Sequence, residues 1–127
     1  MKRFPMLFVV FVLSLIVPLA AQDKKKMEKE KEVTVKGEVV DVSCYLHKGA
    51  KGEGHKDCAV ACAKNGGALG ILTKDGKLYV SIIKDEHLEN PNAMLTDHIA
   101  HMVEAKGYVH SKGGMNAIRI NSVEMMK

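Results

Sequence analysis

The chain of 127 residues contains no tryptophan, and all three phenylalanines stand among its first 11 residues. Tyr45, Tyr79 and Tyr108 are therefore the only aromatic side chains of the remainder. From residue 33 onward, 12 basic residues face 11 acidic ones, a formal net charge of +1. Binding of single-stranded nucleic acid needs stacking aromatics and a basic groove. The composition therefore predicts no nucleic acid partner.

Several catalytic motifs are also missing. The sequence has no Gly-x-Ser-x-Gly, P-loop, dinucleotide fingerprint or His-Glu-x-x-His. No nucleophile, base and orienting group stand together, so an enzyme is not indicated, although a catalytic metal with three protein ligands stays open. Neither Cys-x-x-Cys nor Cys-x-x-Cys-His occurs, which disfavours thiol-redox chemistry and c-type haem.

The N-terminus has the pattern of a targeting segment. Lys2 and Arg3 precede an apolar run over residues 6–17, which suits a signal-peptide core and is short for a membrane span. Small residues at the end of Leu19-Ala20-Ala21 offer a cleavage site. We expect residues 1–21 to be a signal peptide and the protein to be periplasmic or secreted. An uncleaved segment is the alternative, and it is the only membrane contact expected.

The rest of the chain divides into two parts. Residues 22–32 carry alternating lysines and glutamates with no apolar face to bury, which predicts a charged flexible spacer. Residues 33–127 form the expected domain. Within it, period-2 apolar patterns and turn residues predict five strands and two short helices. The strands are expected over residues 33–46, 68–73, 78–83, 102–110 and 116–125, and the helices over residues 58–64 and 93–98.

The first strand carries a further signal. Its apolar face changes at Val39-Val40, and Gly37 permits a kink or a close approach of another chain segment. Such a strand can bend and serve two sheets. Five strands with a helix between the third and fourth match the five-stranded OB-fold barrel. The expected fold class is all-β with short helices, an OB-fold-like barrel carrying a Cys/His loop-helix insertion between strands 1 and 2.

Short motifs strengthen this expectation. The segments 35–41, 104–109 and 117–123 look like the first, fourth and fifth strands of small secreted bacterial OB-fold proteins of poorly characterised function. Asp41-x-x-Cys44-Tyr45, followed by His55-x-x-Cys58-Ala59-x-x-Cys62, resembles a signature of exported proteins of this type. The resemblance covers about three-quarters of the chain. It implies the fold and a metal site, and it implies no reaction.

A group of metal-ligand residue types falls within one short segment. All three cysteines, Cys44, Cys58 and Cys62, lie there with His47 and His55. Cys58 and Cys62 are four apart on a predicted helix, so their thiols share one side. Three thiolates and an imidazole suit Zn(II), and thiolates also suit Cu(I). The sequence thus predicts zinc or copper held by the three cysteines, with His55 as the favoured fourth ligand and His47 as its substitute.

Two other readings stay open. Exported proteins use cysteine for disulfides, and Cys44 paired with Cys58 or Cys62 would brace the insertion, leaving one spare thiol. The protein would then be a disulfide-braced OB-fold module that binds a ligand or another exported protein without metal. A reversible disulfide between Cys62 and one of the other two cysteines is the third reading. Histidines 87, 98, 101 and 110 have no such cluster around them and are expected on the solvated surface.

Overall fold

The computed structural model describes residues 30–84 and 89–127. The expected signal peptide, residues 22–29 of the expected spacer and His87 lie outside the described residues. Five strands and two short helices make up the described chain. They are β1 (Val33–Asp41), α1 (Val42–Lys48), α2 (Lys56–Lys64), β2 (Leu69–Thr73), β3 (Leu78–Ile82), β4 (Met102–Lys112) and β5 (Met115–Met125). Single 3-10 turns span Glu53–His55 and Thr96–His98.

The strands form one closed sheet in the order β1-β2-β3-β5-β4, with β4 paired back onto β1. β3 and β5 run parallel, and every other neighbouring pair is antiparallel. The predicted mostly-β architecture is therefore confirmed, with the Cys-bearing helices inserted between β1 and β2. No described helix has the length and apolar character that crossing a bilayer requires.

β1 serves two neighbours, as its pattern predicts. Its first part pairs with β4 and its last part with β2, and Gly37 pairs with both Val103 and Thr73. A Cβ atom at Gly37 would lie 2.3 Å from the carbonyl oxygen of Leu72. Only glycine allows this approach of two backbones, so Gly37 marks the point where the strand changes partner.

The core lies inside the closed sheet and under α2. The largest fully buried apolar side chains are Val39, Leu69, Ile71, Leu95, Ile99, Val103 and Ile118. Each large aliphatic residue buried in this way contributes about 1.5–3 kcal/mol to folding. Ala59 of α2 is 3% exposed and belongs to the same cluster. This packing fixes the helix that carries Cys58 and Cys62 onto the end of the sheet.

Three local predictions differ from the structure. β1 ends at Asp41 instead of residue 46, because the chain turns into α1 at Val42. Residues 93–98 form a turn followed by a 3-10 turn in place of a helix. α2 begins at Lys56, two residues before the predicted start at residue 58. The other strand limits lie within two residues of the predicted ones.

Candidate metal centre

The site begins where β1 ends. Asp41 is 1% exposed, and its Oδ1 accepts a 2.6 Å hydrogen bond from the backbone N–H of Cys44. An aspartate in this position caps a helix, because its oxygen satisfies an N–H group that has no partner within the helix. The cap turns the chain out of the sheet and places Cys44 in the first turn of α1. One residue thus ends the strand and sets the direction of the first thiol.

The loop after α1 returns the chain to the site. Gly49 adopts a left-handed conformation with φ 67°, and its N–H donates to the carbonyl of Tyr45 at 2.7 Å. Farther along, the N–H of Gly52 donates to the carboxylate of Glu38 on β1. This contact ties the loop to the sheet just before the 3-10 turn that ends at His55. His55 is thereby held half-buried beside α2.

α2 supplies the other two thiols. Cys58 and Cys62 are one helical turn apart and share a side of the helix. After the end of the helix, the N–H of Gly67 donates to the carbonyl of Cys62 at 2.8 Å. A Cβ atom on Gly67 would lie 2.8 Å from that oxygen and 3.2 Å from Asp41 Oδ2. The absent side chain lets the end of α2 reach the buried carboxylate.

The cysteines and His55 come together around Cys44. One group of ligand atoms comprises Cys44, His55 and Cys58, and a second comprises Asp41, Cys44 and Cys62. Within each group the ligand atoms lie within 4.8 Å of one another. All three cysteines are free thiols. Three cysteines and one histidine therefore lie close enough together to bind a metal ion.

Burial and negative charge oppose ionisation of two of these thiols. Burial raises the pKa of Cys44 to about 12, and the hydrogen bond and charge of Asp41 add to the effect. Burial also raises the pKa of Cys62, again with the charge of Asp41 next in size. A cation bound at this position would favour ionisation of both thiols, because the thiolate is the form that binds metal.

Two polar atoms at the site have no nitrogen or oxygen partner among the described residues. Asp41 Oδ2 and His55 Nε2 are both buried, and the thiols of Cys44 and Cys62 lie within 4.8 Å of the Asp41 carboxylate. Buried polar groups in native proteins are nearly always paired, and an isolated buried carboxylate is costly. Both unpaired atoms belong to residues of the two ligand groups. A bound cation would satisfy them.

The structure separates the two predicted histidines. His55 joins Cys44 and Cys58, whereas His47 is exposed in the last turn of α1 and belongs to neither group. The ligand set predicted from the sequence does not contain Asp41, which the structure places beside the thiols of Cys44 and Cys62. The signal was present in the Asp41-x-x-Cys44 spacing, which fits a helix cap followed by a first-turn residue.

Comparison of the chain with protein-family models, curated proteins and solved structures gives no match. The chain's own residues are therefore the only guide to its function.

Proposed function

We propose that this protein is an exported metal-binding protein in which Cys44, Cys58, Cys62 and His55 hold Zn(II) or Cu(I). The observation that carries the proposal is the gathering of three thiols and an imidazole around Cys44, with ligand atoms within 4.8 Å in each group. Tetrahedral zinc with bonds of about 2.3 Å to sulfur separates its ligands by somewhat less than this limit. Cys62 shares a group with Cys44 and not with His55, so its sulfur must move towards His55 for all four ligands to bind one ion.

A bound ion would have a structural effect whatever its identity. Its ligands come from α1, from the 3-10 turn and from α2, which are separate pieces of the insertion. Binding would join them, and the free energy of binding would add to the stability of the insertion. With zinc in a closed site the role is structural. With Cu(I), the exposed position of Cys58 favours metal buffering or transfer to another exported protein.

The fold proposed for the domain is the OB-fold. The closed order β1-β2-β3-β5-β4, the parallel β3–β5 pair and the strand shared by two neighbours support it. The resemblance of the Asp/Cys and His/Cys signature to small exported OB-fold proteins supports the same assignment. Export itself is proposed from the signal-like pattern of residues 1–21. Fractionation of cells that produce the full chain tests it: a shortened chain outside the cytoplasm is expected, and a full-length chain in the cytoplasm would contradict it.

Metal binding is tested on the full chain, purified under reducing and anaerobic conditions. Native mass spectrometry after addition of Zn(II) or Cu(I) should show bound metal that a Cys44→Ser variant loses. His47→Ala is the matched control, because His47 lies on the surface outside both ligand groups, and it should bind like the wild type. A wild-type chain that takes up neither ion would refute the proposal.

The proximity of Cys44 and Cys62 favours one alternative, a disulfide that braces the insertion in an oxidising compartment. The protein would then be a metal-free module. Counting free thiols in the denatured, metal-stripped protein distinguishes the metal site from the disulfide. Three free thiols support the metal site, whereas one free thiol supports the disulfide.

A further inference from the structure

Two ligand groups meet at a single sulfur. Cys44 belongs to the group with His55 and Cys58 and also to the group with Asp41 and Cys62. A thiolate sulfur has several lone pairs and is able to bind two cations at once. The arrangement therefore offers three ligands to each of two neighbouring positions. A simple Cys3His site would use neither the carboxylate nor this sharing.

Asp41 gives independent evidence for a second cation. Its side chain is 1% exposed. Oδ1 is engaged by the N–H of Cys44, whereas Oδ2 is buried with no N–H or O–H partner among the described residues and lies beside the thiols of Cys44 and Cys62. A neutral N–H neutralises little of a carboxylate charge, and an unpaired buried charge costs several kcal/mol or more. The cap satisfies one oxygen of Asp41, and a cation bound together with the Cys44 and Cys62 sulfurs would balance the charge that remains.

The charges of the site favour two divalent ions over one. Three thiolates and one carboxylate carry four formal negative charges among the ligands of the two groups. With all three thiols ionised, one divalent ion would leave two of these four charges uncompensated. Two divalent ions give a neutral centre, which removes the largest electrostatic cost of forming it.

We propose that the site holds two divalent ions of the zinc class bridged by the Cys44 thiolate, one completed by His55 and Cys58 and the other by Asp41 and Cys62. This inference rests on the proposed metal-binding function and adds the second ion and the carboxylate ligand. On binding, each of the three thiols loses its proton to solvent. The remaining position of each ion is left to water, since three protein ligands leave four-coordinate zinc one open site.

The two positions differ in exposure. Cys58 is exposed, whereas Cys62 is half-buried and Asp41 is buried. The ion on His55 and Cys58 should therefore exchange with added chelator faster than the ion on Asp41 and Cys62. A biphasic loss of zinc, with two phases of equal amplitude, is the expected kinetic result.

The stoichiometry of Zn(II) bound to the reduced full chain tests the proposal. Native mass spectrometry at saturation should find two ions in the wild type and one in Asp41→Asn, because asparagine keeps the helix cap but removes the charge. Cys58→Ser should also retain one ion, and Cys44→Ser should lose the bridged pair. Asp57→Asn is the matched control, since Asp57 is an exposed acid beside Cys58, and it should retain two.

Cobalt substitution tests the bridge without any variant. Two Co(II) ions joined by one thiolate couple magnetically, so the paramagnetic resonance signal of the first equivalent should fall as the second binds. Two signals that add independently would overturn the bridge. One ion in both the wild type and Asp41→Asn would overturn the second site and leave the proposed function standing. Absence of any bound metal would refute the proposed function itself.

Discussion

The carboxylate of Asp41 and the backbone of Cys44 are joined by a 2.6 Å hydrogen bond, so the last residue of β1 positions the first cysteine of the candidate metal centre. This contact couples the end of the sheet to the site. Asp41 thus combines the observed helix cap through Oδ1 with the metal-ligand role proposed for its other oxygen.

The capping role predicts a difference between two variants in the metal-free state. Asp41→Ala removes the cap, whereas Asp41→Asn keeps an oxygen that accepts the N–H of Cys44. Asp41→Ala should therefore lower the free energy of unfolding by about 1 kcal/mol more than Asp41→Asn does. Urea denaturation of the two metal-free proteins measures this difference. Equal stabilities would show that the cap contributes nothing.

Gly67 should be intolerant of even a methyl group. Its Cβ atom would lie 2.8 Å from the carbonyl oxygen of Cys62, a backbone atom that has little freedom to move. Overpacking of this kind costs about 1–3 kcal/mol. Gly67→Ala should lose that much stability and bind Zn(II) more weakly, because Cys62 must shift.

Gly54→Ala is the control for this substitution, since no atom lies within 4 Å of a Cβ atom at that position. Thermal unfolding and zinc titration of both variants make the comparison. The prediction is wrong if the two substitutions have the same effect.

Asn92 should matter for the fold although it is not one of the proposed ligands. It is 4% exposed, its Nδ2 donates to the carbonyl of Gly67 at 2.7 Å, and its Oδ1 accepts the N–H of Leu69 at 2.9 Å. Asn92→Ala leaves two backbone groups unpaired and should cost about 1–3 kcal/mol. In Asn116→Ala, which removes an exposed hydrogen bond with Ser111, the loss should stay within about 0.5 kcal/mol. Chemical denaturation of both variants checks this ordering, and a reversed order would contradict it.

The raised pKa of Cys44 predicts how the stability of the metal-free protein depends on pH. Burial, followed by Asp41, raises this pKa from 9.0 to about 12, so the native state holds the proton more tightly than the unfolded state. The resulting stabilisation is fully present below pH 9 and is lost as the pH rises towards 12. The wild type should therefore lose stability more steeply than Cys44→Ser over this range. Parallel pH profiles of the two metal-free proteins would rule out the effect.

Much of the sheet could be predicted from the sequence, because period-2 patterns and turn residues are local signals. The Lys74–Lys77 hairpin is an example: the N–H of Thr73 donates to the carbonyl of Lys77 at 2.9 Å, as the turn between two predicted strands requires. The predicted continuation of β1 to residue 46 was wrong. Val42, Cys44 and Leu46 stand at every second position, as they would in a strand, but they lie in α1. In α1, Leu46 is 71% exposed.

The site itself was only partly predictable. Spacing alone placed Cys58 and Cys62 on one side of a helix, and this is what the structure shows. The choice between His47 and His55 depends on how the loop folds back through Glu38 and Gly52, which are 14 residues apart. Burial of Asp41 depends likewise on β2 and the end of α2, so no local pattern could reveal it.

X-ray absorption at the zinc edge of the loaded full chain tests the central claim most directly. The account predicts a first shell dominated by sulfur at about 2.3 Å, with nitrogen or oxygen at about 2.0–2.2 Å. The sulfur contribution should disappear in Cys44→Ser. A first shell of nitrogen and oxygen alone in the wild type would contradict the account, because it would place the metal away from the three cysteines.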